Sequence, residues 1–129
     1  SISHLGYVML GLACFDLLGI QGAVIQMVSH GLVSAGLFLM VGMVYERCHT
    51  RELGAYGGLA KAMPAYSVFF MLLTLASIGL PATSGFTGEF LALAGAMSAG
   101  WATHVAGGGS TVLVLAVTAV TGVVLGALY

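Results

Sequence analysis

Long apolar runs separated by short polar islands dominate the chain. Ser1 to Leu18 forms the first run, ending at Asp16 and the helix-breaking Gly19. Ile20 to Tyr45 forms the second and carries no formal charge, Ala65 to about Met97 the third, and Thr111 to Tyr129 the last. About 20 mostly apolar residues cross a hydrocarbon core as a helix, so the runs predict spans over about 1–18, 20–45, 65–97 and 111–129, with a polar connection over 46–64 and another over Ser98 to Ser110. The expected fold class is all-α, a polytopic transmembrane bundle of four spans in a single membrane domain. The first run reaches spanning length only if it starts before Ser1, and the last stops in mid-run. With no initiator methionine or signal peptide, the chain reads as an internal piece of a longer multi-span protein.

The third run has a fault in it. Pro81 lacks an amide hydrogen and its ring clashes with the preceding turn, while Gly79, Gly85 and the hydroxyl residues between them suit turns and caps. The expectation is two half-helices joined by a short unwound link, a discontinuous helix whose freed backbone groups must be packed in protein or line a wet cavity. The second half should begin near Phe86 or Thr87, with Thr83 or Ser84 as cap, leaving Glu89 in its first turn. There, unpaired amides favour the carboxylate while burial favours the neutral acid, so small changes around Glu89 would move its proton. A structural, hydrogen-bonded glutamic acid is the plainer alternative.

In the second run Gln26, His30 and Ser34 recur at intervals of four, one turn apart on one helical face that Gly22 extends. Polar groups inside an apolar helix must face the bundle interior or water. Such a stripe suits a hydrogen-bonded route, although His30 alone would also suit a packing contact. His4 lies at the start of the first run, where an interfacial position is the alternative. Gly6 and Gly11 allow a neighbouring helix to approach. Thr111, Thr118 and Thr121 fall near one face and bond either a neighbour or their own backbone. Trp101 is placed as an interfacial anchor, and His104 as solvated.

Composition agrees: 60% of residues are hydrophobic and 5% charged, and the mean hydropathy is +1.10, outside the range of soluble globular chains. All three basic residues, Arg47, Arg51 and Lys61, fall in the 46–64 connection. The positive-inside rule therefore puts that loop on the cytoplasmic side or its organellar equivalent, with Asp16 near the outer interface. No basic run supports nucleic-acid binding. Cys14 and Cys48 provide neither a metal spacing nor a disulfide framework. Nucleophile elbows and phosphate loops are lacking too. The ionisable groups at membrane depth, His4, His30 and Glu89, are groups that hold and pass protons. A broken helix with an acid at the break is also how secondary transporters build ion sites. The residues alone thus point to proton or cation translocation.

The segments SISHLG from Ser1, QGAVIQMVSHG from Gln21 to Gly31, GMVYERCHTR from Gly42 to Arg51 and GLPATSGFTGEF from Gly79 to Phe90 are similar to one family. They resemble the M-subunit family (mitochondrial subunit 4) of respiratory complex I, and the loop from Tyr45 to Arg51 separates that family from its antiporter-like relatives. The resemblance implies the following. Glu89 matches the terminal proton-exchanging glutamate, His30 the central histidine of the hydrophilic axis, and His4 a second histidine on the connecting route. The chain binds no cofactor or metal; NADH, FMN, iron–sulfur clusters and quinone belong to other subunits. Partners are neighbouring antiporter-like and other membrane subunits and the lipid bilayer, in a bacterial plasma membrane or mitochondrial inner membrane. The family's essential charged residues on earlier helices lie outside this chain. The competing expectation is a subunit of a multisubunit cation/proton antiporter or membrane-bound hydrogenase.

Overall fold

A computed structural model describes residues 1–50, 52, 54, 57–107 and 111–128, and the side chains among them except those of 112, 113 and 123–128. The expectations that touch Arg51, Gly108, Gly109 and Tyr129 lie outside the described residues. Among the described residues six helices follow one another: α1 (Ile2–Ala13), α2 (Leu17–Cys48), α3 (Leu59–Ala62), α4 (Pro64–Ile78), α5 (Ser84–Val105) and α6 (Thr111–Leu128). Among the described residues there is no strand.

The first turn of the chain falls earlier than Gly19. Phe15 takes a left-handed backbone with φ of 50°, Asp16 is extended at the N-cap of α2, and Gly19 lies inside that helix. Gly19 serves contact instead of breaking the helix. A Cβ on it would sit 2.8 Å from the Gly11 carbonyl oxygen, and one on Gly95 would strike the backbone of Gly19. Gly11 thus makes the close approach expected of it, whereas Gly6 has open space beside it.

The 32 residues of α2 extend about 48 Å at about 1.5 Å per residue, and the helix runs past Tyr45 until left-handed His49 ends it at φ 50°. Among the described residues α2 is the one helix long and apolar enough to cross a membrane, while α1 and α4 are apolar but shorter. The short α3 lies within the expected polar connection, and Pro64 opens α4 at its first turn, where its missing amide costs nothing.

α4 and α5 together follow α2 in the opposite direction. Beside the C-terminal half of α2, the Tyr66 hydroxyl donates to the Met40 carbonyl at 2.9 Å and Leu73 packs on Gly36. Beside the N-terminal half, Ser84 meets Ser29, Gly88 meets Gln26, Ala92 meets Gly22 and Gly95 meets Gly19. This face of small residues lets the two backbones touch, the packing that substitutes for hydrophobic driving force in lipid. The buried face of α2 is therefore Gly19, Gly22, Ala23, Gln26, Ser29 and Val33, continued by Met40 and Val44. Outward, Phe38 and Leu39 are 79% and 70% exposed, an apolar exterior suited to lipid or to neighbouring helices.

Between α4 and α5 the backbone leaves the helix for Gly79 to Thr83. Gly79 takes φ of 78°, and the Leu80 amide reaches back to the Leu75 carbonyl at 3.3 Å, the closure of a glycine-ended helix. Leu80 to Thr83 then form a β-turn closed by the Thr83 amide on the Leu80 carbonyl at 2.9 Å, with Pro81 second and Ala82 third at φ 80°. Gly85 lets α5 start against the end of α4, because a Cβ there would lie 2.5 Å from the Ala76 carbonyl oxygen. Gly79, Pro81 and Gly85 thus each have a distinct part in the link.

Candidate functional site

Glu89 is 7% exposed and lies where α1, α2, the link and α5 meet. The tight turn starts α5 at Ser84, two residues ahead of Phe86, so Glu89 occupies the second turn and no acid lies in the first. The helix-end field fades beyond the first turn. The charge state of Glu89 therefore depends on its neighbours more than on the helix terminus.

Those neighbours come from three elements. From α2, Gln26 Nε2 donates to Glu89 Oε1 at 3.4 Å. From α1, His4 Nε2 stands 3.6 Å from the same oxygen. From the link, Gly79 leaves its Cβ space to the carboxyl group, since a Cβ would sit 3.0 Å from Oε2. Tyr7, one turn beyond His4 and buried, is within electrostatic reach of Glu89. A full ion pair at 3.6 Å is worth between about 4 and 5 kcal/mol at an effective dielectric constant of about 20.

His4 Nε2 also donates to the Ser77 carbonyl at 3.1 Å. That carbonyl belongs to the last turn of α4, whose acceptors lose their helical partners at the break. Neutral His4 therefore carries its proton on Nε2, and Nδ1 has no partner among the described residues. His30 stacks on His4 with ring centroids 4.8 Å apart and planes 24° from parallel. Ring N–H groups lie in the ring plane, so stacked imidazoles do not hydrogen-bond to each other; His30 meets His4 by packing of the two rings.

The stripe read at intervals of four divides in space. Gln26 meets Glu89 and His30 meets His4, but the Ser34 hydroxyl turns back onto the His30 carbonyl of its own helix. Sequence reasoning missed Ser29, 5% exposed, whose hydroxyl donates to Ser84 Oγ at 2.8 Å and ties α2 to the first residue of α5. Its signal was the interval of three from Gln26, also a neighbouring position on a helix. Thr118 and Thr121 bond the carbonyls of Leu115 and Thr118 in their own helix.

Two features lie apart. Ser98 Oγ is 3.3 Å from Asp16 Oδ2 at the far end of α2. At the opposite, basic end, a cavity of about 390 Å³ lies between α2 and α4, lined by Met40, Met43, Glu46, Arg47, Met63 and Tyr66 among others.

The family described as NADH:quinone oxidoreductase/Mrp antiporter, TM, matches residues 1–118. NADH-quinone oxidoreductase subunit M of Rickettsia prowazekii is 48% identical over 129 residues, which is 100% of this chain and 24% of the relative. The protein of the same name from Rhodobacter capsulatus is 55% identical over 95 residues, 74% of this chain and 19% of the relative. NADH-ubiquinone oxidoreductase chain 4 of Marchantia polymorpha is 48% identical over 96 residues, covering 74% and 19% respectively. The chain thus spans at most 24% of the length of these relatives.

Proposed function

Because the chain belongs to the NADH:quinone oxidoreductase/Mrp antiporter transmembrane family, we propose that it is part of a proton-translocating membrane subunit of an NADH:quinone oxidoreductase. One observation carries the reading: a buried carboxyl, Glu89, beside a break in the helix path, with His4 at 3.6 Å and Gln26 at 3.4 Å. Buried carboxylates are expensive unless paired, and intramembrane acids mark ion pathways.

In this reading α4 and α5 are two halves of one discontinuous span. Their joint antiparallel course along α2, with the link beside Ser29 near the middle of that helix, supports it. The basic loop faces the cytoplasm or matrix, which turns the Glu89 end toward the outer compartment. Glu89 exchanges protons with His4, and His30 senses or sets the charge of His4 through the stack. The chain holds no redox group itself; NADH, FMN, iron–sulfur clusters and quinone are the business of other subunits, and its partners are the neighbouring membrane subunits and lipid. The names of the relatives favour this reading over the antiporter half of the family description.

The test is Glu89→Gln in the full-length subunit, assembled in membrane vesicles. Proton pumping and the coupled NADH:quinone reductase activity fall while the complex still assembles. Full pumping in that variant overturns the role. Sodium-driven proton exchange in vesicles without NADH and quinone would establish the cation/proton antiporter reading instead.

A further inference from the structure

Gln26 is 1% exposed and is the largest side chain so completely buried among the described residues. Its Nε2 meets Glu89 Oε1 at 3.4 Å, while its Oε1 has no hydrogen-bond partner among the described residues and lies over Gly88, where a Cβ would be only 2.5 Å away. A buried amide oxygen left unpaired is costly, about 1–3 kcal/mol.

The hydrogen-bond partner of Glu89 Oε1 is a donor: Gln26 presents an N–H, while His4 Nε2, 3.6 Å away, has its proton engaged with the Ser77 carbonyl. Donors suit a carboxylate, which only accepts. They do not suit the acid, whose O–H needs an acceptor. The group that contacts Glu89 Oε1 is able to change from donor to acceptor without moving its backbone. A carboxamide has an oxygen and an NH2 group of nearly the same size, so a half-turn about its last side-chain bond exchanges them within the same packed volume. The unpaired Oε1 is then brought to the acid proton, and Nε2 takes the space that Gly88 leaves open.

We propose that Gln26 is a positioning residue that follows the protonation of Glu89 by reversing its side-chain amide, donating from Nε2 to the carboxylate and accepting on Oε1 from the acid. The inference rests on the reading that Glu89 takes up and releases a proton. The other titratable groups facing Glu89 are His4 and Tyr7 on α1, with His30 of α2 behind His4. α6 contains no titratable residue, and α4 and the link offer backbone and hydroxyls only, with Tyr66 at the far end of α4. Gln26 is thus a neutral side chain in hydrogen-bond contact with Glu89 that is able to match both forms of the acid, which lets proton transfer proceed without leaving either form unpaired.

The experiment is pH-difference infrared spectroscopy on the assembled full-length subunit in vesicles. Bands lost in Glu89→Gln identify the acid and carboxylate stretches of Glu89. In Gln26→Met, similar in length but with no donor and only a weakly accepting thioether, the acid carbonyl stretch moves to higher frequency and the carboxylate stretch moves as well. Movement of the carboxylate band alone makes Gln26 a fixed donor and overturns the reversal. Movement of neither band removes Gln26 from the site and overturns it too. An unchanged spectrum in Glu89→Gln shows that Glu89 does not titrate, which is the separate failure of the underlying reading. Should Gln26→Met not assemble, glutamine labelled at its side-chain carbonyl in the otherwise unaltered protein reports directly. Its band falls in frequency as Glu89 is protonated, and this change is lost in Glu89→Gln. A labelled band that ignores the protonation step overturns the proposal.

Discussion

His4 on the first helix donates to the carbonyl of Ser77 on the fourth at 3.1 Å. The residue beside the buried acid is thus also the one that satisfies a backbone group freed by the helix break, so the shape of the link and the proton inventory of the site share one imidazole. His4→Leu leaves that carbonyl unpaired at a cost of about 1–3 kcal/mol, whereas His4→Gln retains a donor. Thermal unfolding of the purified protein should show a clear loss for the leucine variant and a smaller one for the glutamine variant, while both lose proton pumping. Equal stability of the two would dissociate His4 from the break.

Ser29 and Ser84 hold the start of α5 against α2. A double-mutant cycle with Ser29→Ala and Ser84→Ala should yield a coupling of about 0.5–1.5 kcal/mol in unfolding free energy, the net worth of one hydrogen bond. Strict additivity would mean that the two hydroxyls do not meet.

The glycines of the α2–α5 seam are predicted to be unequal to those elsewhere. Gly88→Ala and Gly22→Ala drive a methyl group into opposing backbone, 2.8 Å from Gln26 N and 2.7 Å from Leu91 C respectively. Overpacking of this kind costs about 1–3 kcal/mol. Gly31→Ala meets nothing within 4 Å and lies inside a helix, where alanine gains about 0.5–1 kcal/mol. Melting temperatures of the three variants should move in these opposite directions.

Ala82 holds a left-handed backbone at φ 80° in the turn after Pro81. Glycine accepts that geometry, so Ala82→Gly should relieve about 1 kcal/mol of strain, raise the melting temperature and leave proton pumping intact. A lower melting temperature would show that unfolded-chain entropy outweighs the strain.

Apolar runs too long and too uncharged for a soluble chain determined the helical, lipid-suited character of the protein from sequence alone, as Gly79 and Pro81 determined the turn that separates α4 from α5. These are local consequences: a proline cannot donate, and an uncharged run cannot stay in water. Tertiary structure decided what depends on a second helix. Gly19 proved a contact point and not a terminator because Gly11 and Gly95 press on it. Glu89 moved to the second turn because the link closed as a tight turn ahead of Ser84. Along α2 the interval of four suggested one stripe through Gln26, His30 and Ser34, yet the buried face follows alternating threes and fours and takes in Ser29 instead of Ser34. A helix offers several faces with nearly equal right to be inside, and only the partner that packs against it selects one.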